Sequence, residues 1–247
     1  MPAALAPSPP AESEWTPARV ATPAFDPDDG PFGLTIPASA HTLDGFREWT
    51  SGGEVPEKQK VTFIRGRIWI DMTNERIKSH TDVKTCLVSF LKRQFDDRDL
   101  GKVWTDGVTL VNEAAGLSSG PDVTACLWTS FDEGRVALGT PVREAGDDSV
   151  ELVGSPDIAC EVLSTASVRK DTQELPETYF AAGVAEYWLL DARGGDPSLR
   201  LLVRGDAAFE PAAESEGWQT SGVLEAAVRM TTRRQRHGFV DYRFETR

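Results

Sequence analysis

Apolar residues gather into two short runs between residues 60 and 71. There Lys60-Val61-Thr62-Phe63-Ile64 and Arg67-Ile68-Trp69-Ile70-Asp71 form two β-branched and aromatic runs joined only by Arg65-Gly66. Two such runs with a two-residue, glycine-containing connection predict a β-hairpin. Upstream, Thr42 can cap a short helix whose Leu43, Phe46 and Trp49 share one stripe and which Gly52-Gly53 ends. Downstream, Ile77, Val83, Leu87, Val88, Leu91 and Phe95 recur at three- and four-residue steps, predicting the longest helix from Asn74 to about Asp97. Residues 103–111, 122–128 and 156–163 read as strands, with a variable-looking insert at 129–150. A second helix over 171–182 begins at Asp171 or Thr172 and ends at Gly183. The strand at 186–191 that follows is too apolar for a sheet edge. Short strands near 199–203 and 238–244, with a loop between them, extend the sheet or cover its edge. The resulting order is helix, three strands, helix, strand, an α/β (α+β) chain with a mixed sheet and no internal repeat.

Residues 1–37 break this patterning. They hold nine of the sixteen prolines, five acidic residues and one arginine, without apolar periodicity, and predict a disordered acidic tail ahead of a single domain over 38–247. No apolar run reaches the ~18 residues of a membrane span, and the start lacks the basic and apolar segments of a secretory signal, so a cytoplasmic location is expected. Cys86, Cys126 and Cys160 form no CxxC pair and no zinc spacing, which suits small core residues in a reducing compartment. The net charge of −13 excludes a protein that coats nucleic acid by bulk attraction; any contact with DNA must be local.

Candidate chemistry centres on Glu161, which stands inside the apolar run Ile158-Ala159-Cys160-Glu161-Val162-Leu163. An ionised carboxylate there costs several kcal/mol unless a cation or hydrogen-bond partner offsets it. Asp122, after Gly120-Pro121, opens the preceding apolar strand, so two adjacent strands can present carboxylates to one cation. A hard ion such as Mg²⁺ needs only one or two carboxylates plus substrate phosphate. Asp157 is a candidate additional ligand, although strand alternation puts it on the face of Glu161 but ~13 Å away, at about 3.3 Å per residue, too far to share one ion unaided. The competing readings are turn-capping roles for Asp122 and Asp157 and a buried ion pair for Glu161.

The segment Pro156-Asp157-Ile158-Ala159-Cys160-Glu161-Val162-Leu163-Ser164, followed by Asp171, Tyr179, Gly183-Val184 and Glu186-Tyr187-Trp188-Leu189-Leu190-Asp191, resembles the Uma-type restriction-endonuclease-like family of the PD-(D/E)XK nuclease superfamily. Gly120-Pro121-Asp122-Val123 resembles its other signature, and Gly66 and His80 fall where that family has its first hairpin and a helix-borne His. The resemblance covers about 41–205. It implies an αβββαβ core, a Mg²⁺ or Mn²⁺ cofactor, Asp122 and Glu161 as metal ligands, DNA as substrate and a catalytic lysine.

That lysine departs from the family pattern. Leu175 occupies its usual place four residues after Asp171, and Leu163 stands where a strand lysine would be. Lys170, beside Arg169, is the nearest substitute, against the reading of an ordinary solvated charge. Lys84 on the long helix is a weaker substitute; His80 is a candidate site residue against a structural hydrogen-bonded role, and Glu75, near the helix start, a candidate outer metal ligand against a solvated one. The basic stretch Arg229 to His237 reads either as a phosphate contact or as a charged loop. The expected function is a metal-dependent endonuclease, with a catalytically degenerate binding or interaction module as the alternative. A homodimer is left open, and no membrane contact is expected.

Overall fold

At Arg65 and Gly66 the backbone takes two consecutive positive φ angles, 49° and 83°. This is the turn whose twist matches that of paired strands, and it joins β1 (Lys60–Ile64) to β2 (Arg67–Asp71) in register from Ile64↔Arg67 to Lys60↔Asp71. The computed structural model describes residues 34–53, 55–56, 59–139 and 150–247. Thr35–Arg247 forms one compact unit. Apart from residues 34–37, the tail expected over 1–37 lies outside the described residues. Ahead of the hairpin, α1 (Leu43–Ser51) starts where the Thr42 hydroxyl accepts the Gly45 N–H at 3.2 Å.

The long helix is α2 (Asp82–Asp97), preceded by a π-helical turn over Ile77–Thr81 in which the Thr81 N–H reaches back five residues to the Arg76 carbonyl. Helical structure thus begins at Ile77, not Asn74. The strand expected over 103–111 is two strands, β3 (Gly101–Thr105) and β4 (Thr109–Asn112). Asp106 and Gly107, with φ of 37° and 73°, turn the chain out of one sheet into another. After β4 come β5 (Leu117–Ser119), β6 (Val123–Leu127), the short α3 (Trp128–Asp132), β7 (Val136–Leu138) and β8 (Glu151–Gly154). The stretch taken as an insert therefore contributes a helical turn and two strands, while 140–149 falls outside the described residues.

Next are β9 (Ile158–Val162), a second π-helical turn over Lys170–Glu174 running into α4 (Leu175–Ala181), and β10 (Glu186–Asp191). The C-terminal part holds β11 (Ser198–Arg204), β12 (Phe209–Pro211), β13 (Glu214–Ser215), β14 (Trp218–Ser221), β15 (Ala226–Arg234) and β16 (Val240–Thr246). The first sheet has the order β2-β1-β5-β4-β8-β7, the second β12-β11-β10-β9-β6-β3, and β13 to β16 form a third. The region expected as a loop between two short strands is thus mostly sheet.

Within the second sheet β6 runs antiparallel to β3 and β9, and β9 runs parallel to β10 across the α4 crossover. With α2 this is the αβββαβ core. Val83, Leu87, Leu91 and Phe95 of α2 pack on Val123, Ala125, Ile158, Cys160 and Trp188. Leu175 and Tyr179 of α4 pack on the other face against Cys126, Ala159, Tyr187 and Leu189. Fully buried residues such as Leu87 and Leu175 each contribute about 1.5–3 kcal/mol of apolar transfer. Strand alternation therefore points Ala159 and Glu161 toward α4 and the first sheet. The cysteines are all free, with Cys126 and Cys160 buried. Among the described residues no helix is long and apolar enough to cross a membrane.

Candidate active site

Strand register brings the two central carboxylates together. The β6–β9 ladder pairs Val123↔Cys160 and Thr124↔Ala159, and one step further sets Asp122 beside Glu161 with both side chains on one face. The Val162 N–H then donates to Asp122 Oδ2 at 2.8 Å. Both carboxylates are buried, and both line a cavity of ≈ 430 Å³ together with Glu75, His80, Lys170 and Asp171.

Three cationic or imidazole groups crowd Asp122. Lys60 Nζ lies 2.9 Å and Lys84 Nζ 3.7 Å from its Oδ1, and His80 Nε2 is 3.4 Å from Oδ2. Burial alone would raise its pKa, but the His80 hydrogen bond and the two ammonium groups prevail and hold it well below the usual carboxylate range. Glu75 carries the same pattern: Lys60 and Lys84 donate to it at 2.7 and 2.8 Å, and against partial burial they lower its pKa. Asp106, at the break between β3 and β4, closes the network at 2.9 Å from Lys84 Nζ.

Glu161 sits in a different setting. Its only hydrogen bond from a described side chain is the Tyr179 hydroxyl at 3.0 Å, which is itself 3.2 Å from Ser119 Oγ. Burial pushes its pKa up to about 8, with Lys170 opposing and Asp171 and Asp122 adding to the rise. Lys170 extends from the π-helical turn into the cavity with its Nζ 2.8 Å from Asp171 Oδ1. Burial disfavours its charge, yet the fields of Glu161 and Asp171 raise its pKa above the ordinary lysine value. Leu175, at the family's usual lysine position, is fully buried under the sheet and cannot be replaced by a cation without loss of packing.

The donor set fits a divalent cation. Ligand atoms of Glu75, His80 and Asp122 lie within 4.8 Å of one another, against about 4.2 Å for two oxygens on one Mg²⁺, twice its ligand distance. The buried His80 Nδ1 is 3.2 Å from Glu75 Oε2 but misaligned for a hydrogen bond. The two carboxylates suit Mg²⁺ or Mn²⁺, whereas the imidazole nitrogen favours a softer transition metal over Mg²⁺. The tightest grouping thus sets Asp122 with Glu75 and His80, while Glu161 lines the same cavity beyond it.

Asp157, considered as an additional ligand, lies elsewhere. Leu127 N–H and Ser130 Oγ donate to its Oδ2 at 2.7 and 2.6 Å, and Arg135 binds Oδ1 at 2.7 Å. It is bonded to residues at the start of α3, and it does not line the cavity. The sequence reading missed Lys60, Asp106 and the hydroxyl of Tyr179. Asp106 meets Asp122 through the β3–β6 pairing and Lys60 through the packing of one sheet against the other, neither of which a local pattern announces. Tyr179 stood in the quoted motif without an assigned role.

An αβββαβ core with carboxylates meeting at adjoining ends of its second and third strands, and lysines around them, defines a restriction-endonuclease-like domain. The model of the Uma2 family, described as "Putative restriction endonuclease", matches residues 43–226, and the chain belongs to this family. Membership supports a nuclease and suggests use of a divalent metal. The chain is also similar to a crystal structure described as a putative nuclease belonging to DUF820 from Anabaena variabilis. The TM-score is 0.55 at 16% identity, covering 74% of this chain and 90% of that one, a likeness of fold. No curated protein matches the chain.

Proposed function

We propose that the chain is a metal-dependent endonuclease that hydrolyses phosphodiester bonds in DNA. Asp122 and Glu161 are its metal ligands, Glu75 and His80 complete the Asp122 side, and Lys170 is the catalytic cation. The observation that carries this reading is the cross-strand placement of Asp122 beside Glu161 in one cavity with a buried lysine. A divalent cation held by Asp122 and Glu161 would supply Lewis acidity toward a phosphate oxygen and a bound water. The residues of the chain supply the rest. The Val162 N–H fixes Asp122, the Tyr179 hydroxyl orients Glu161, and the Lys170 ammonium offsets negative charge growing on the phosphate. Supercoiled plasmid should be nicked with Mg²⁺ or Mn²⁺, spared with chelator, and spared by Asp122→Asn and by Glu161→Gln.

A second reading has its own support. Lys60 and Lys84 already neutralise Asp122 and Glu75 at hydrogen-bond distance, and Leu175 replaces the usual lysine. A degenerate site kept for binding would show the same ion pairs, and wild type that binds plasmid without metal-dependent nicking would select it.

A further inference from the structure

From the β15–β16 hairpin we infer a DNA-backbone clamp, with Arg234 and Arg236 gripping phosphates of a duplex whose scissile strand enters the cavity. This deepens the nuclease reading and rests on it for the identity of the strand being held.

The hairpin begins at Ala226, where the family-matched residues end. From 226 onward the chain has six arginines against two carboxylates, on a protein of net charge −13. Its strands pair from Val228↔Thr246 to Arg234↔Val240, and the tip is closed by Gln235 N–H on the Phe239 carbonyl at 2.8 Å. The base is rooted in the core, where Phe244 stacks on Phe90 of α2 at 5.7 Å. Residues 232–239 are all exposed.

What makes this more than a charged surface is where the tip is tied. Tyr242 Oη donates to the Lys78 carbonyl at 3.1 Å, Lys78 Nζ donates to the His237 carbonyl at 2.9 Å, and the same ammonium lies 4.9 Å from the Phe239 ring. Lys78 belongs to the π-helical turn that carries His80 into the cavity, two residues on. The basic tip is thus pinned to the element that supplies a site residue.

The arginines divide by role. Arg229 and Arg247 flank the Trp218 ring at 4.3 and 4.7 Å, and Arg233 and Arg243 share Asp241. Among the described residues Arg234 and Arg236 have no carboxylate within ion-pair distance. Exposed guanidiniums without a carboxylate partner are available to phosphate, which they can bind bidentately. Met72 and Ile77, 79% and 67% exposed, are exposed apolar groups on the segment leading into α2 and can cover deoxyribose.

The test compares wild type with Arg234→Gln/Arg236→Gln on a short labelled duplex, with metal chelated so that binding is read without cleavage. Both side chains are exposed, so thermal melts should coincide. Losing two phosphate contacts should lower the magnitude of the slope of log affinity against log salt by about 2, so that the loss of affinity is roughly tenfold larger near roughly 50 mM salt than near roughly 200 mM. In plasmid cleavage the variant should raise KM with kcat within about twofold, the mark of lost ground-state binding. Equal affinity and equal slope in the two proteins would overturn the clamp even if both cleave. Binding with the expected slope change but no cleavage would uphold the clamp and sink the nuclease reading. Wild type with no measurable affinity for the duplex would overturn the clamp outright.

Discussion

The Lys60 ammonium bonds the Asp122 carboxylate at 2.9 Å and the Glu75 carboxylate at 2.7 Å, so one side chain bridges two candidate metal ligands. It also reaches toward solvent, being 44% exposed, and is free to swing away when a divalent cation arrives. Lys60→Met should therefore tighten Mn²⁺ binding about fivefold, on the order of 1 kcal/mol. Because Lys84 and His80 still support Asp122, the metal-free variant should lose only about 1 kcal/mol of stability. Titration calorimetry and melts read both quantities, and unchanged Mn²⁺ affinity would mean that Lys60 does not compete with the ion.

Glu161 ties stability to pH. Burial lifts its pKa from an ordinary 4.5 to about 8, so the folded state holds a proton that the unfolded chain releases. Its contribution is fully present below pH 4.5, is lost as pH rises to 8, and is absent above that. Asp171, raised by burial as well, acts in the same direction. Melts across this window should show falling stability in the metal-free wild type, and Glu161→Gln should remove most of the slope. A variant with the same decline would place its origin in another group.

Tyr179 is the positioning residue for that carboxyl. Its hydroxyl donates at 3.0 Å, and the bond opposes the upward shift of Glu161. Tyr179→Phe should cost about 1 kcal/mol of stability. The acid limb of the cleavage profile should move to higher pH, since Glu161 then ionises later. A purely structural tyrosine would lower stability and leave the pH profile in place.

Asp157 separates motif from site. It is 2% exposed and bound by Leu127 N–H, Ser130 Oγ and Arg135. Arg135 is 37% exposed, so Asp157→Ala should destabilise by about 2–3 kcal/mol, below the full cost of breaking a buried pair. Mn²⁺ affinity, measured well below the melting temperature, should stay at the wild-type value. A variant that folds but fails to bind Mn²⁺ would return Asp157 to the site.

What the sequence revealed follows the range of the forces involved. The β1–β2 hairpin and β10 have the boundaries that their β-branched and aromatic runs, and for the hairpin the Arg65-Gly66 turn, predict. The carboxylates stood out because Asp122 and Glu161 interrupt or open apolar strands. The division of residues 103–111 into β3 and β4 was hidden, since Asp106-Gly107 interrupts a run whose apolar residues serve two different sheets. The third sheet was hidden for another reason. β15 is rich in Arg and Thr, and its strand form rests on pairing with β16 more than on an apolar pattern. Lys60 was missed because it joins Glu75 and Asp122 only after two sheets and a helix have assembled.

The two π-helical turns, at Ile77–Thr81 and Lys170–Glu174, have a consequence for reading relatives of this chain. Each widens a helix by about one residue, and each lies where His80, or Lys170 with Asp171, enters the cavity. Counting forward at an ordinary helical period slips by one position there, turning later residues by about 100° about the axis. A relative with a one-residue deletion in either turn would keep its packed helix yet rotate its polar contributors out of the pocket. Equivalent lysines in divergent members should therefore be sought by their position in space and not by their offset from Asp171.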